Sequence, residues 1–364
     1  MTTNEAAAEA APPPALRLPA DALARLCEGL LASAGADAET ARDATRAMMH
    51  ASLHGVDSHG VRLLPHYVSV LEGGRVNGRP RLAFRRTRPG AGLLEADHAH
   101  GARATFEAAA RACDLAAEAG VGAVGVRHGS HFGAAGAYAL AAAERGFCAL
   151  VACNSDAVVR LHDGAARFHG TNPLAFAAPS GGDRPWLLDM ATSAIPFNRV
   201  LLRRATGEAL PEGVASDEGG LDTTDARAAA MLAPLGGAFG FKGAGLAGLA
   251  EILSAVLTGM RLGFEIPDMA GPDRSTPRHL GAFVLALDPD AFAGRAAFEE
   301  AMRRYLAALR GGPALAGATL LAPGDREWAE AERRRQDGVP LDPETAAALR
   351  DLAAARGVPM PPAA

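Results

Sequence analysis

The stretch His54-Gly-Val-Asp-Ser-His-Gly-Val-Arg62 separates two helical patterns and concentrates polar groups between them. The preceding pattern runs from an N-cap at Asp37 to about Leu53, and the following one covers 63–71. Within the loop, His59 follows a carboxylate and a hydroxyl and is flanked by glycine. Such groups can move a proton and hold an anion. We therefore predict that His59 is an acid/base group.

Composition narrows the class of protein. The chain has 364 residues, 49% of them hydrophobic and 21% charged, with a net charge of −5. This mild acidity gives no reason to expect a nucleic-acid partner. No apolar run reaches the length of a membrane span, and the acidic N-terminus is unlike a signal peptide. The four cysteines form no CxxC pair, so reduced thiols in a cytoplasmic protein are expected.

The hydrophobic patterns divide the chain into four segments. We predict a disordered tail over 1–15, an N-terminal helical segment over 16–76 that carries the His59 loop, and an α/β domain over 77–290. C-terminal helices over 291–364 are expected to pack on the N-terminal segment.

Within these segments, helix and strand periods are distinct. The predicted helices are 20–34, 37–53, 63–71, 101–119, 134–145, 246–260, 291–310, 325–336 and 342–356. The predicted strands lie within 80–97 and at 122–128, 148–154, 174–178, 186–189 and 280–288. Residues 203–235 are polar, glycine-rich and acidic, which favours a surface excursion.

Two GxGxxG strings fail as Rossmann fingerprints. Gly120–Gly125 precedes a strand instead of following one, and Gly243–Gly248 opens a helix without a buried strand before it. The loop 236–245 is also no P-loop, because neither Ser nor Thr follows Lys242. Glycines, a helix N-terminus and a lysine nevertheless suit a cofactor pyrophosphate. The alternative is a helix-entry loop with a solvent-exposed lysine.

Other polar residues admit two interpretations. His128 and His131 are three positions apart, but no third ligand has a suitable setting, so no metal site is predicted. His131 stands out because it lies in a glycine-flanked loop between apolar elements. Asp189 either orients a histidine or caps the segment that begins at Ala191.

Five motifs in order resemble the malate/L-lactate dehydrogenase family of the second, non-Rossmann type, over about residues 17–340. That family includes ureidoglycolate dehydrogenase, sulfolactate dehydrogenase, diketogulonate reductase and the piperideine/pyrroline-2-carboxylate reductases. The motifs are Asp57-Ser-His-Gly60, His131-Phe-Gly133, Gly170-Thr-Asn-Pro-Leu-Ala-Phe-Ala177, Asp189-Met-Ala-Thr-Ser193 and Phe241-Lys-Gly243.

The resemblance implies a mixed α/β (α+β) fold. A non-Rossmann NAD(P)-binding domain on a mostly antiparallel sheet would pack against a helical domain formed by the N- and C-terminal segments. It also implies a homodimer with its active site between domains and near the subunit interface.

The resemblance also assigns roles to individual residues. His59 and His131 match the histidines proposed as acid/base in different members. Independently of the resemblance, we predict Asp189 as a catalytic residue that orients a histidine. Thr171 and Asn172 would place the substrate. The positions that match cofactor contacts are Ser155, Asp189, Met190, Ala191, Lys242, Gly243, Gly324, Asp325, Arg326 and Glu327.

The substrate-binding arginine departs from the family pattern. Many relatives have an arginine four residues after the histidine, where this chain has Leu63, and Arg62 stands one residue earlier. One residue corresponds to about 100° around a helix. We predict that Ser58, Arg62 and Arg160 contact the substrate, with Arg160 taking over part of the usual arginine's role.

The predicted activity is hydride transfer between NAD or NADP and a small 2-oxo/2-hydroxy carboxylic acid of the malate/lactate type, with no metal. A cyclic 2-imino acid is the alternative substrate. Two further alternatives are a non-catalytic binding protein on the same scaffold and a metal-dependent hydrolase that uses the histidines.

Overall fold

The structure is a computed structural model that describes residues 16–182 and 184–364. The predicted tail over 1–15 lies outside these residues. The helices found within them are α1 (Ala20–Ser33), α2 (Ala38–Leu53), α3 (Leu64–Glu72), α4 (Gly101–Ala119), α5 (Gly136–Glu144), α6 (Phe197–Thr206), α7 (Phe241–Glu251), α8 (Arg295–Arg310), α9 (Asp325–Asp337) and α10 (Pro343–Arg356).

The strands form three sheets. They are β1 (Leu16–Leu18), β2 (Ala83–Arg88), β3 (Ala91–Glu95), β4 (Val121–Gly129), β5 (Cys148–Cys153), β6 (Val159–Arg160), β7 (Arg167–His169), β8 (Leu174–Ala178), β9 (Trp186–Met190), β10 (Ala215–Ser216), β11 (Met231–Leu232), β12 (Leu280–Leu287) and β13 (Val339–Leu341). Their positions confirm most predicted elements to within a few residues.

A seven-stranded sheet, in the order β2-β3-β4-β12-β5-β8-β9, is the centre of the fold. Only the β3–β4 pairing is parallel, so the prediction of a mostly antiparallel sheet is confirmed. Val284 of β12 lies opposite Val124 and Val151, and all three are fully buried.

Alanine-rich helices α4 and α5 share the core of this sheet. Their small side chains allow close approach, and at Gly122 a Cβ atom would lie 2.0 Å from the carbonyl oxygen of Ala112. A larger residue at 122 would therefore push α4 away from β4.

The N- and C-terminal segments share a second core. β1 pairs antiparallel with β13, and the helices α1 to α3 bury side chains together with Leu349 of α10. Asp37 caps α2 as predicted, because its side chain accepts the Thr40 N–H at 2.8 Å.

Residues 203–235 correct a prediction. Instead of a surface excursion, they contribute to a small lobe with the four-stranded sheet β10-β11-β6-β7. This lobe has its own core, which includes Val159, Val200, Leu210 and Leu232. Polar turns separate the apolar residues of this lobe, so its sequence shows no helix or strand period.

Helices α7 and α8 begin at other positions than predicted. α7 starts at Phe241, five residues before the predicted Leu246, and continues into a π-helical segment, Ile252–Val256. α8 starts at Arg295, after Gly294 with a φ of 88°. In the described part of the chain, no helix is long and apolar enough to cross a membrane.

One end of the large sheet gathers the loops that carry polar motifs. β4 ends beside the start of β12, with Gly129 opposite Leu280. The end of β5 and the start of β8 pair through Ala152 and Leu174, and Leu174 also faces Met190 at the end of β9. Because neighbours in an antiparallel sheet alternate in direction, the loops at 130–133, 154–156, 171–172, 191–193 and 278–279 leave from the same end.

Candidate active site

Two histidines meet at this end of the sheet. The ring centroids of His59 and His131 are 6.0 Å apart, and the ring planes differ by only 22°. His59 lies in the 3-10 turn Asp57–His59, and His131 follows the last residue of β4 by two positions. The structure thus brings together two residues that the sequence singled out separately.

Tyr67 of α3 orients His131. Its phenol oxygen lies 2.8 Å from Nδ1 of His131, which leaves Nε2 for a reacting group. The phenol ring also packs edge-on against His100, with centroids 4.2 Å apart. Burial raises the pKa of Tyr67 well above its usual range, so it remains a neutral phenol. Sequence reasoning missed Tyr67 because an aromatic residue on an apolar helix face is typical of core packing.

The surroundings of both histidines favour the neutral imidazole. Burial lowers the pKa of His59. Burial also lowers the pKa of His131 far below its usual value, and the neighbouring His59 and Arg278 further disfavour a positive charge on this ring. A neutral imidazole whose Nδ1 is engaged can act as a base through Nε2.

The rest of the His59 loop holds this histidine in place. Ser58 Oγ lies 2.9 Å from Nδ1 of His59. Asp57 is paired with a residue outside this loop, because its Oδ2 accepts a hydrogen bond of 3.0 Å from the buried Arg334 of α9. Gly60 is required sterically, since a Cβ at this position would lie 2.2 Å from Ser52 Oγ.

The two predicted substrate arginines have other partners. Arg62 directs its guanidinium to Glu344 of α10, at 2.9 Å. Arg160 donates to Asp222 at 2.5 Å and to Ser216 Oγ at 3.2 Å in the small lobe. The structure therefore does not support either as a substrate contact. Local spacing could not reveal these partners, because both come from distant parts of the chain.

The side chain of Asn172 bonds other protein groups and connects neighbouring loops, whereas the sequence predicted that it contacts the substrate. It is fully buried, and its side chain donates to Glu251 at 2.7 Å and accepts the Ser155 N–H at 3.2 Å. Glu251 in turn accepts the Gly263 N–H at 2.7 Å. The carbonyl of Thr171 accepts the Thr192 N–H at 2.9 Å. These bonds fix the loops around Ser155 and after β9 relative to α7.

Asp189, at the end of β9, is an exposed residue whose carboxyl group contacts α5. Its side chain accepts the N–H of Gly136, the first residue of α5, at 2.8 Å. Loss of hydration where the carboxyl group packs against the protein, together with the charge of Glu327, raises the pKa of Asp189 to about 6 in spite of this bond. Neither predicted role is observed, because Asp189 caps α5 and does not bond a histidine among the described residues.

The glycine-rich loop before α7 has the features of an anion site. Gly236 adopts a φ of 118°, and a Cβ on Gly243 would lie 2.2 Å from the carbonyl oxygen of Leu235. Lys242 is exposed, with Nζ 5.2 Å above the Phe239 ring, and forms no ion pair within the part of the chain that the structure describes. It is also the single lysine among the 36 Lys and Arg residues of the chain, which distinguishes this position in the sequence without any motif.

The turn at the start of α9 lies against β9. Leu187 donates its N–H to the carbonyl of Pro323 at 3.2 Å, and Gly324 has a φ of 98°. Asp325 is engaged by Arg310 through bonds of 2.9 and 2.6 Å, so its carboxylate is not free for a ligand. The neighbouring side chains, Arg326 and Glu327, pair with each other at 2.9 Å.

His128 and His131 do not share a ligand. His128 Nδ1 bonds Glu95 at 2.7 Å, whereas His131 turns toward Tyr67. Among residues 16–182 and 184–364, no group of three His, Cys, Asp or Glu side chains is arranged to hold a metal ion.

Comparison with known proteins identifies the family. Residues 18–350 match the malate/L-lactate dehydrogenase family. The chain is 38% identical to a malate dehydrogenase of Pyrococcus abyssi over 67% of this chain and 69% of that protein. It is 33% identical to an NAD(+) ureidoglycolate dehydrogenase of Escherichia coli over 78% of this chain and 80% of that protein.

Solved structures agree with this match. The crystal structure of malate dehydrogenase from Entamoeba histolytica superposes with a TM-score of 0.89 at 26% identity, over 95% of this chain and 99% of that one. The Δ1-piperideine-2-carboxylate reductase from Pseudomonas syringae gives 0.83 at 30% identity, over 93% and 99%. The resemblance carried by the five motifs is thus confirmed, and the chain belongs to the malate/L-lactate dehydrogenase family.

Proposed function

We propose that this chain interconverts a small 2-hydroxy acid and the corresponding 2-oxo acid with NAD or NADP, and that His131 transfers the proton. The observation that carries this proposal is the pair of histidine rings, 6.0 Å apart at the end of the sheet, with His131 oriented by the 2.8 Å bond to Tyr67.

The proton step follows from the state of His131. The lowered pKa of His131 favours the neutral ring. In the tautomer whose Nδ1–H donates to the phenol oxygen of Tyr67, Nε2 is unprotonated and can accept the proton of the substrate hydroxyl during oxidation. In the reverse direction the imidazolium returns this proton to the substrate oxygen. The carboxylate of the bound substrate carries a negative charge, which favours the protonated form of the His131 ring.

His131 is preferred over His59 because the two rings have different supports. The partner of His131 is a buried tyrosine from another element, whereas His59 bonds the hydroxyl of its neighbour Ser58. A partner on a rigid helix fixes a ring more firmly than one on the same turn. His59 and Ser58 then form the opposite wall of the substrate site.

The residues before α7 fit a dinucleotide. The amides of the first turn and the ammonium of Lys242 would hold the pyrophosphate. Met190 and Ala191, at the end of β9, would contact the cofactor as the family resemblance implies. When bound, the nicotinamide supplies the hydride chemistry. The chain's own residues bind the two reactants, exclude water and move the proton.

We also propose that a second copy of this chain covers the apolar face of α7 and the segment after it. Ile252, Val256 and Leu257 are 56%, 59% and 63% exposed, and Leu246 and Leu249 continue the same face. Contiguous exposed apolar surface of this kind marks an interface. A homodimer through this face would lie next to the glycine-rich loop, as the family resemblance implies.

A cytoplasmic setting is proposed on the state of the thiols. The four cysteines are free and buried. A reducing compartment keeps such thiols in this form.

The function is tested by mixing the purified protein with NADH or NADPH and a panel of 2-oxo and cyclic 2-imino acids, while absorbance of the reduced nicotinamide is followed. Oxidation of cofactor with a 2-oxo acid is expected. Turnover confined to imino acids would favour the alternative suggested by the similarity to the piperideine-2-carboxylate reductase. Cofactor binding without any turnover would instead indicate a non-catalytic binding protein, and loss of turnover on chelation a metal-dependent one.

A further inference from the structure

We propose that Arg278 binds the acidic group of the substrate beside His131, and that Asp156 holds its guanidinium in place. This inference rests on the proposed function, since it assigns the carboxylate anchor of the same site. It replaces the anchors expected at Arg62 and Arg160.

The sheet places Arg278 next to His131. Gly129, the last residue of β4, lies opposite Leu280, the first residue of β12. His131 follows Gly129 by two positions, and Arg278 precedes Leu280 by two positions. The two residues therefore leave the same end of two adjacent strands.

The guanidinium of Arg278 is fixed by protein contacts, but these contacts do not use all of its hydrogen-bond donors. It is only 2% exposed, it forms an ion pair with Asp156, and its Nε donates to the carbonyl of Pro267 at 2.9 Å. Asp156 is itself fixed, because its Oδ2 accepts the Met269 N–H at 3.0 Å. The remaining nitrogen, Nη1, is buried without a hydrogen-bond partner among the described residues. Buried hydrogen-bond donors are normally paired, so we expect Nη1 to donate to an acceptor on a bound ligand.

Other cations reinforce this position. Arg75 and Arg274 lie with Arg278 around His66, whose pKa falls to about 4 through burial and the charges of these three arginines. Arg75 is also buried and has two guanidinium nitrogens without partners in the described structure. Arg278 is the arginine whose charge also lowers the pKa of His131.

The chemistry of a 2-oxo acid matches this arrangement. Its carboxylate is bonded to the carbon that receives the hydride, so the groups that bind the carboxylate and protonate the adjacent oxygen must lie close together. A guanidinium offers a permanent charge and directed donors to a carboxylate. Arg278 supplies both at the end of the sheet that carries His131.

The first test is Arg278→Met, with Arg160→Met as the control because that guanidinium has partners in the small lobe. We expect KM for the 2-oxo acid to rise at least about 100-fold, the loss typical of a removed charge-assisted contact, and partial rescue by added guanidinium chloride. Arg160→Met should leave KM within about twofold, and NADH affinity should be unchanged in both. An unchanged KM in a folded Arg278→Met protein would overturn the assignment.

A double variant and a binding measurement distinguish the role of Arg278 from misfolding of the variant and from failure of the proposed function. Asp156→Asn combined with Arg278→Met removes both charges, so no unpaired carboxylate is left in the interior. Calorimetric titration of oxamate, an unreactive 2-oxo acid analogue, into the NADH complex needs no turnover. Wild type should bind oxamate at least about 30-fold more tightly than the double variant. Equal affinity of the two proteins for oxamate, including no binding by either, would overturn the role of Arg278. A wild-type protein that binds oxamate more tightly than the double variant but turns over no substrate would count against the proposed reaction alone.

Discussion

The phenol oxygen of Tyr67 lies 2.8 Å from Nδ1 of His131, and this bond connects α3 of the N-terminal unit to the loop after β4 of the large sheet. The orientation of His131, the proposed acid/base group, thus depends on two separate parts of the fold. A disturbance of either part would turn the imidazole ring.

Tyr67→Phe tests the importance of this bond. The ring keeps its packing but loses the hydrogen bond, so kcat should fall about 10-fold to 100-fold with a smaller change in KM. Steady-state kinetics and the pH dependence of kcat provide the measurement. Tyr305→Phe is the control, since Tyr305 is half exposed on α8. A kcat equal to that of wild type would show that Tyr67 does not orient the base.

His131→Gln and His59→Gln separate the two histidines. Removal of the proton-transfer group should lower kcat at least about 100-fold, and we expect this for His131. His59→Gln should mainly raise KM. NADH binding, followed by fluorescence, serves as the control for folding. The reverse pattern would assign the proton transfer to His59.

Asp189→Asn tests this carboxyl group through the pH dependence of stability. The pKa of Asp189 rises from 3.8 to about 6 on folding, so the folded state binds this proton more tightly than the unfolded state. The group's stabilising contribution is complete below the unfolded pKa and is lost as pH rises through about 6. Because Asp189 is exposed, solvent screening makes the change in the free energy of unfolding smaller than the pKa difference alone would give.

Asn does not titrate, so the free energy of unfolding of Asp189→Asn relative to wild type should increase between pH 3.5 and pH 7.5. Urea denaturation at a series of pH values measures it. A difference that does not vary with pH would show that Asp189 keeps an ordinary pKa in the folded protein.

Ile252→Glu tests the proposed homodimer. A charge in the middle of the apolar face of α7 and its extension should convert a dimer to a monomer, because a buried unpaired carboxylate is strongly unfavourable. Light scattering coupled to size-exclusion chromatography gives the mass. Leu315→Glu is the matched control, as Leu315 is 85% exposed outside this face. A wild-type protein that elutes as a monomer would contradict the proposal.

The sequence alone determined the local structure and the family. The Asp37 cap, the alanine-rich helix α4 and the strand Leu174–Ala178 were predicted correctly, since each depends on short-range preferences and periodicity. Five ordered motifs were enough to indicate the family and its mostly antiparallel sheet. The small lobe was missed because its short strands carry too few residues to show a period.

Only the tertiary structure decided which polar residues face one another. Arg62 and Arg160 looked like substrate anchors in sequence, yet Glu344 and Asp222 engage them. Tyr67 showed no local signal, and it bonds His131 only because a helix of another unit meets the end of the sheet at that point. Arg278 showed none either, and pairing of β4 with β12 brings its loop to the same end of the sheet. Hydrogen bonds and ion pairs act between neighbours in space, so the chain's order fixes which groups are present and folding fixes which of them interact.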